Sequence, residues 1–182
     1  MNARSFLEQR PGAGECAPAH QSYINVVPVG NILEILRGQS EDFRRLFSGL
    51  SDHQALYRYQ PGKWSVKELV GHLCDTERIF GYRALCIARS DPGPYPSFDE
   101  NEYVKAAHFD NRSFADLTTE FALARKLTYS FFSSLNEEEW SRKGIANAHE
   151  YSVRAIAFIL AGHLMHHMHV FEDRYLSSMA GS

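Results

Sequence analysis

Four histidines fall within seven residues in Gly162-His163-Leu164-Met165-His166-His167-Met168-His169, inside the most apolar stretch of the chain. Imidazole is the commonest metal ligand in proteins. On a helix turning roughly 100° per residue, His163 and His167 share a stripe with Val153, Ile156, Leu160 and Phe171, the face that a core would claim. An i, i+4 pair sets two rings one turn apart, close enough to share one ion. His166 drifts to the flank of that stripe and His169 points away from it. Buried histidines also serve simply as hydrogen-bonding partners, so a metal centre needs a third ligand from another element.

The elements that would position these rings follow from period and capping. A helical period begins near Asn31 and runs through Ile32, Ile35, Leu36, Phe43, Leu46, Phe47 and Leu50. Ser51 with Gln54 predicts a capped short turn, and Gln60-Pro61-Gly62-Lys63 breaks the chain. Ser65 and Glu68 form a capping signature for a second long helix, to about Arg89, with Val66, Leu69, Leu73, Phe80, Ala84 and Ile87 on its apolar face. His72 sits at the edge of that face, aligned with Thr76, Ile79 and Arg83. A third helix starts near Ser113 and keeps a bundle-type seam through Phe114, Leu117, Phe121, Ala124, Thr128, Phe131 and Leu135. Asn136 to Trp140 reads as a short capped turn and Arg142 to Glu150 as loop. Ser152 caps a fourth helix, to about Ser177, which carries the histidines.

Four long helices without convincing strands predict an all-α four-helix bundle. The stretch from Ser90 to Arg112 has no sustained helical period; a connector this long is a functional loop or a crossover. Residues 1–19 hold Pro11, Gly12, Gly14 and Pro18 without any period and are expected to be a mobile tail. Residues 20–178 then form the domain, with Tyr23 to Pro28 extended across it.

In such a bundle ligands project inward from facing helices, so His72 can meet His163 and His167 at one end of the core. Three neutral imidazoles leave an open coordination position, as in catalytic sites; structural sites close the shell with four protein ligands. The competing reading leaves His72 as a solvated polar residue at a helix edge. Asp75, nearly one turn from His72, is the candidate general base or imidazole-orienting group. Arg83 and Arg154 are candidates for binding an anionic substrate. Cys86 lies about 20 Å along the helix from His72 at 1.5 Å per residue and is excluded as a ligand. Trp64 is expected to be a packing anchor where the second helix begins.

Three segments carry a resemblance to a known family. Pro61-Gly62-Lys63-Trp64-Ser65-Val66-Lys67-Glu68-Leu69-Val70-Gly71-His72 is the first, with Leu73 to Arg78 continuing it. Phe98-Asp99-Glu100-Asn101-Glu102-Tyr103-Val104 is the second, and Ser152-Val153-Arg154-Ala155 followed by Ala161-Gly162-His163-Leu164-Met165-His166-His167 is the third. Together they resemble the DinB superfamily of small damage-inducible helical proteins, over about Tyr23 to Leu176. The resemblance implies a four-helix bundle with a long crossover between helices two and three. It also implies a divalent metal held by His72, His163 and His167. Characterised members include S-transferases and isomerases that use low-molecular-weight thiols, alongside many relatives described as metal-dependent hydrolases.

Composition bounds the partners. A formal charge of −3 over 182 residues, with Lys and Arg scattered, gives no footprint for nucleic acid. Ala155 to Phe171 contains no Asp, Glu, Lys or Arg, but four histidines would be costly in hydrocarbon, so a buried bundle helix is expected rather than a membrane span. Cys16, Cys74 and Cys86 form no Cys-x-x-Cys pair, and no signal peptide is evident, so a reducing, cytoplasmic setting is expected. An all-imidazole donor set suits zinc first, then nickel or iron(II), over magnesium or calcium. The expected function is a metal-dependent enzyme that activates a small thiol or water for a small-molecule substrate. Metal or small-ligand binding without turnover, or a stress-response role, is the alternative, and a homodimer is left open.

Overall fold

The computed structural model describes residues 5–179, so residues 1–4 of the expected tail lie outside it. Four long helices form the bundle. A short helix α1 (Gln21–Val26) precedes α2 (Ile32–Phe47), and α3 (Val66–Ala88) follows. The chain continues through α4 (Glu100–Ala107), α5 (Phe114–Ser134) and α6 (Glu137–Ser141). A hairpin of β1 (Lys143–Ala146) and β2 (His149–Ser152) leads into α7 (Val153–Val170). The last helix ends in a π-helical turn, Phe171–Leu176, and a final helical turn, Ser177–Met179.

Local chemistry starts each long helix where the capping residues stand. Ser65 accepts from Glu68 N while the Glu68 side chain accepts from Ser65 N, a complete capping box. Asn31, Ser113 and Ser152 likewise accept from backbone N–H groups in the first turns of α2, α5 and α7. The apolar faces then meet in two clusters. One gathers Ile24, Leu36, Ala84, Phe132 and Ile156; the other gathers Phe47, Leu69, Phe121, Leu164 and Phe171.

The direction of the helices explains the long connector. Cys74 reaches Leu117 O, and Glu77 pairs with Arg125, so sequence numbers rise together along α3 and α5 and these neighbours are parallel. Parallel neighbours cannot be joined by a short turn. The chain must return along the length of α3, about 35 Å for its 23 residues. The crossover ends where Ser65 donates to Asp110 (2.5 Å) and Lys67 donates to Arg112 O (2.6 Å). Contrary to the sequence reading, it contains helix α4, started by Asp99, which accepts from Asn101 N and Glu102 N. At Gly71 a Cβ would come within 2.4 Å of the Phe109 ring, so the crossover lies directly against α3 there.

Three further expectations need correction. Tyr23 to Pro28 is not extended: Gln21–Val26 is helical, because Ile24 and Val27 dock into the core from a helical turn. The stretch Lys143 to Ser152 is a hairpin, turned at Asn147 and Ala148, both with positive φ. Short strands containing Gly and Ala gave no alternating signal. Residues 5–19, expected as a mobile tail, pack on the bundle. Leu7, Cys16 and Ala17 are buried, Glu15 pairs with Arg154 at 2.6 Å, and Ser152 N donates to Glu15 O at 3.1 Å. Isolated anchors of this kind produce no periodicity.

Among the described residues, no helix is long and apolar enough to cross a membrane.

Candidate metal centre

His72 comes from α3, and His163 and His167 come from consecutive turns of α7. Their rings converge through the same nitrogen: His163 Nε2 lies 3.0 Å from His72 Nε2 and 3.1 Å from His167 Nε2. All three ligating atoms fall within 4.8 Å of one another. Bond lengths of about 2.0–2.1 Å to a tetrahedral zinc would separate two nitrogens by roughly 3.3 Å, close to the two spacings measured from His163. The set fits a divalent ion by donor type as well as by distance.

Burial keeps the rings neutral. His72 and His163 are buried, and desolvation pushes His72 down to about 4 and His163 well below the usual imidazole range. His167 is also held well below that range, by desolvation first and then by His72 and His166. A neutral imidazole offers a lone pair, which is the ligating form. Trp64 packs against His72, with centroids 4.8 Å apart, and stacks on His167 at 6.5 Å, so the expected packing anchor also walls the site. Behind α7, Gly162 admits α1: a Cβ there would fall 1.9 Å from Tyr23 O. Tyr23 in turn sets its ring against His163 and His166. His166 and His169 are exposed and lie outside the cluster, as helical phase predicts.

The three histidines open into a cavity of about 580 Å³. Two of its walls come from regions with no evident functional signal in sequence, His20 and Tyr23 from the N-terminal segment and Tyr151 from the hairpin, and a third from the crossover motif, Phe98 and Glu100. His20 Nδ1 lies 2.8 Å from the Tyr151 hydroxyl. Burial, then Arg83 and His149, push the His20 pKa down. Thr76 and Arg83 line the cavity on the stripe they share with His72.

Asp75 is a correction. It is absent from the cavity lining and instead sits 3.7 Å from Arg78, which bridges to Glu120 on α5 at 2.7 Å. Burial raises its pKa, with Arg78 opposing. Being three residues after His72 leaves it on the flank that meets α5, while Thr76, four residues after, faces the cavity. Arg154 is also absent from the lining, held by Glu15. Cys86 takes no place in the histidine cluster.

Known proteins resemble this chain in sequence and in fold. A Geobacillus kaustophilus protein named "putative metal-dependent hydrolase" is 33% identical over 72 residues, 40% of this chain and 40% of its own length. YfiT from Bacillus subtilis, described as a probable metal-dependent hydrolase with an unusual four-helix bundle topology, superposes with a TM-score of 0.71. That superposition has 15% identity and covers 96% of this chain and 94% of YfiT. A mycothiol-dependent maleylpyruvate isomerase superposes with a TM-score of 0.66 at 13% identity, covering 84% of this chain and 66% of that one. The DinB superfamily pattern matches residues 35–171, three quarters of the chain, and the protein belongs to that superfamily.

Proposed function

We propose that the protein is a metal-dependent enzyme in which His72, His163 and His167 hold one divalent ion, zinc first, and a small thiol is activated for transfer to an electrophilic substrate. The observation that carries this is the convergence of three neutral Nε2 atoms on a cavity, with no buried carboxylate in its wall. When bound, such an ion lowers the pKa of a thiol or water placed on it. The imidazoles would hold it by their Nε2 lone pairs, beside the cavity they line. Trp64 and Phe80 exclude water from the sides. A thiol acidified in this way needs no separate protein base, which suits a site from which Asp75 is turned away.

Hydrolysis is the second reading, favoured by His20. It faces the same cavity as a neutral imidazole bonded to Tyr151, and such a group can take a proton from water. A panel of low-molecular-weight thiols with an electrophilic acceptor, run on metal-loaded protein and on His163→Ala, separates the two. Metal-dependent conjugation is expected. Ester or amide cleavage without thiol would move the assignment to a hydrolase, and tight ligand binding without turnover would make it a binding protein. Metal analysis of untagged protein tests the ion, and finding magnesium alone would overturn the three-histidine centre.

A further inference from the structure

Arg83 is 5% exposed and lines the cavity, yet it has no carboxylate partner among the described residues. It donates a hydrogen bond to Pro96 O (2.5 Å) and lies over the face of Phe80, 5.0 Å from the ring centroid. It stands between two spaces, with Phe80 in the wall of the larger cavity and Pro96 in the wall of a smaller cleft beside Tyr82 and Phe98, so the guanidinium borders both. A buried cation is costly unless paired. Elsewhere this chain pairs its buried arginine: Arg125 has Glu77 at 2.6 Å. Desolvation is accordingly the main influence on Arg83, lowering its pKa.

A second buried group points the same way. Thr76, 2% exposed, lines the cavity between His72 and Arg83, and its hydroxyl has no hydrogen-bond partner. Threonine on a helix commonly satisfies its hydroxyl on the carbonyl one turn back; here that bond is absent.

We propose that Arg83 and Thr76 form a subsite for the carboxylate end of an organic substrate whose reacting end lies at the three histidines. The placement of that reacting end rests on the metal-centre reading; the anion subsite does not. Arg83 follows His72 by eleven residues, and its guanidinium lies back over Phe80, eight residues after His72. At 1.5 Å per residue Thr76 stands about 6 Å and the guanidinium about 12 Å from His72 along the helix, so a carboxylate held between them lies about 9 Å from the histidines. An extended chain of five or six carbons with a polar group at each end spans most of that. Trp64, Phe80, Phe98 and Ile159 give its middle an apolar wall. A carboxylate is favoured over a phosphate because Arg83 is the one Lys or Arg in the lining and matches a single negative charge, while Glu100 at the exposed rim would repel a second.

Calorimetric titration of the metal-loaded full-length protein with ω-mercaptohexanoate and with ω-mercaptohexanol tests this. The acid should bind about tenfold or more tightly than the alcohol, the usual reach of a charge-assisted pair. In Arg83→Met, which keeps an apolar stem over Phe80, that ratio should fall to about one. Thr76→Val should weaken the acid about threefold. Equal binding of acid and alcohol to the wild type, or an acid preference that survives in Arg83→Met, would overturn the proposal. A purely structural role for Arg83 would lower stability without changing the ratio. Hexanoate against hexanamide on metal-free protein repeats the comparison without the ion. Preference for hexanoate there, with no metal-dependent turnover of any thiol, would leave the subsite standing while the proposed activity fell. Should Arg83→Met not fold, the wild-type pairs still decide, since both need no variant.

Discussion

Helix α3 contributes to two buried polar clusters within six residues, and they are built on opposite principles. At Glu77 the polar groups are of opposite charge and pair chiefly with one another, although Glu77 Oε2 and Arg125 Nε keep no hydrogen bond. Arg125 of α5 pairs with Glu77, donates to Gln39 of α2 at 2.8 Å and to Leu160 O of α7 at 3.2 Å, and Gln39 donates to Ala161 O at 2.8 Å. All four long helices meet in that knot, and it fixes α7 two residues before His163. At His72 the groups are alike: three uncharged rings aim the same nitrogen at one another and open on a cavity. Burial of polar groups alone therefore does not mark a site. Convergence of like acceptors without enough donors does, because something from outside must complete it.

The sharpest way to break that comparison is to remove one member from each cluster. In His163→Ala, metal content should fall from about one divalent ion per chain to background, since two imidazoles from different helices are a poor set; elemental analysis reads this. His72→Ala should do the same, and full occupancy there would take α3 out of the centre. Arg125→Met should do the reverse, keeping the ion while costing about 3–5 kcal/mol in denaturant unfolding, because it strands the Glu77 charge. Glu77→Leu combined with Arg125→Met should recover most of that loss. A double variant as unstable as the sum of its parts would mean that the knot is more than a self-contained ion pair.

How much of this the sequence discloses depends on whether a residue's role is local. The four long helices are legible because apolar period and caps such as Ser65 with Glu68 act within a few residues. His163 and His167 are legible as an i, i+4 pair, and His72 as the polar break in an apolar face. The cavity is legible only in part: Thr76 and Arg83 stand on the His72 stripe, but nothing local shows that one hydroxyl lacks a bond or one arginine lacks a partner. His20 and Tyr151 meet across 131 positions, through a segment without period and a hairpin without alternation. Asp75 shows the converse failure. Nearness along the helix suggested a role, and a change of one residue in helical phase put the carboxylate beside Arg78 instead.

Acid should sharpen the contrast in metal-free protein. Burial holds His72 at about 4 against an unfolded imidazole near 6.5, so between those values the unfolded chain binds the extra proton. The stability contributed by keeping the ring neutral is full above pH 6.5 and is lost as pH falls toward 4. Denaturant unfolding at pH 5 should show a deficit of about 2 kcal/mol relative to pH 7.5 from this group, with His163 adding in the same direction. Replacing His72 with Gln should flatten that part of the profile. A wild-type curve without slope over this range would show that the rings are not held neutral by burial.

The smallest expected effect tests the register of α7. His166 and His169 are exposed, and neither joins the cluster, although His166 lies against His167 with centroids 5.0 Å apart and against Tyr23 at 5.5 Å. Competition with a chromophoric chelator should find metal affinity within about twofold of wild type in His169→Gln, because a side chain pointing into solvent has no path to the centre. His166→Gln should also stay within about threefold: it removes a ring that touches His167 and Tyr23, but no ligating nitrogen, and outer contacts orient a ligand rather than supply one. A hundredfold loss in His166→Gln, as large as that in His163→Ala, would mean that α7 can turn far enough for a different pair of rings to face α3. The buried Gly162 contact with Tyr23 O opposes that rotation, since turning α7 would drive a Cβ-bearing residue into the α1 backbone.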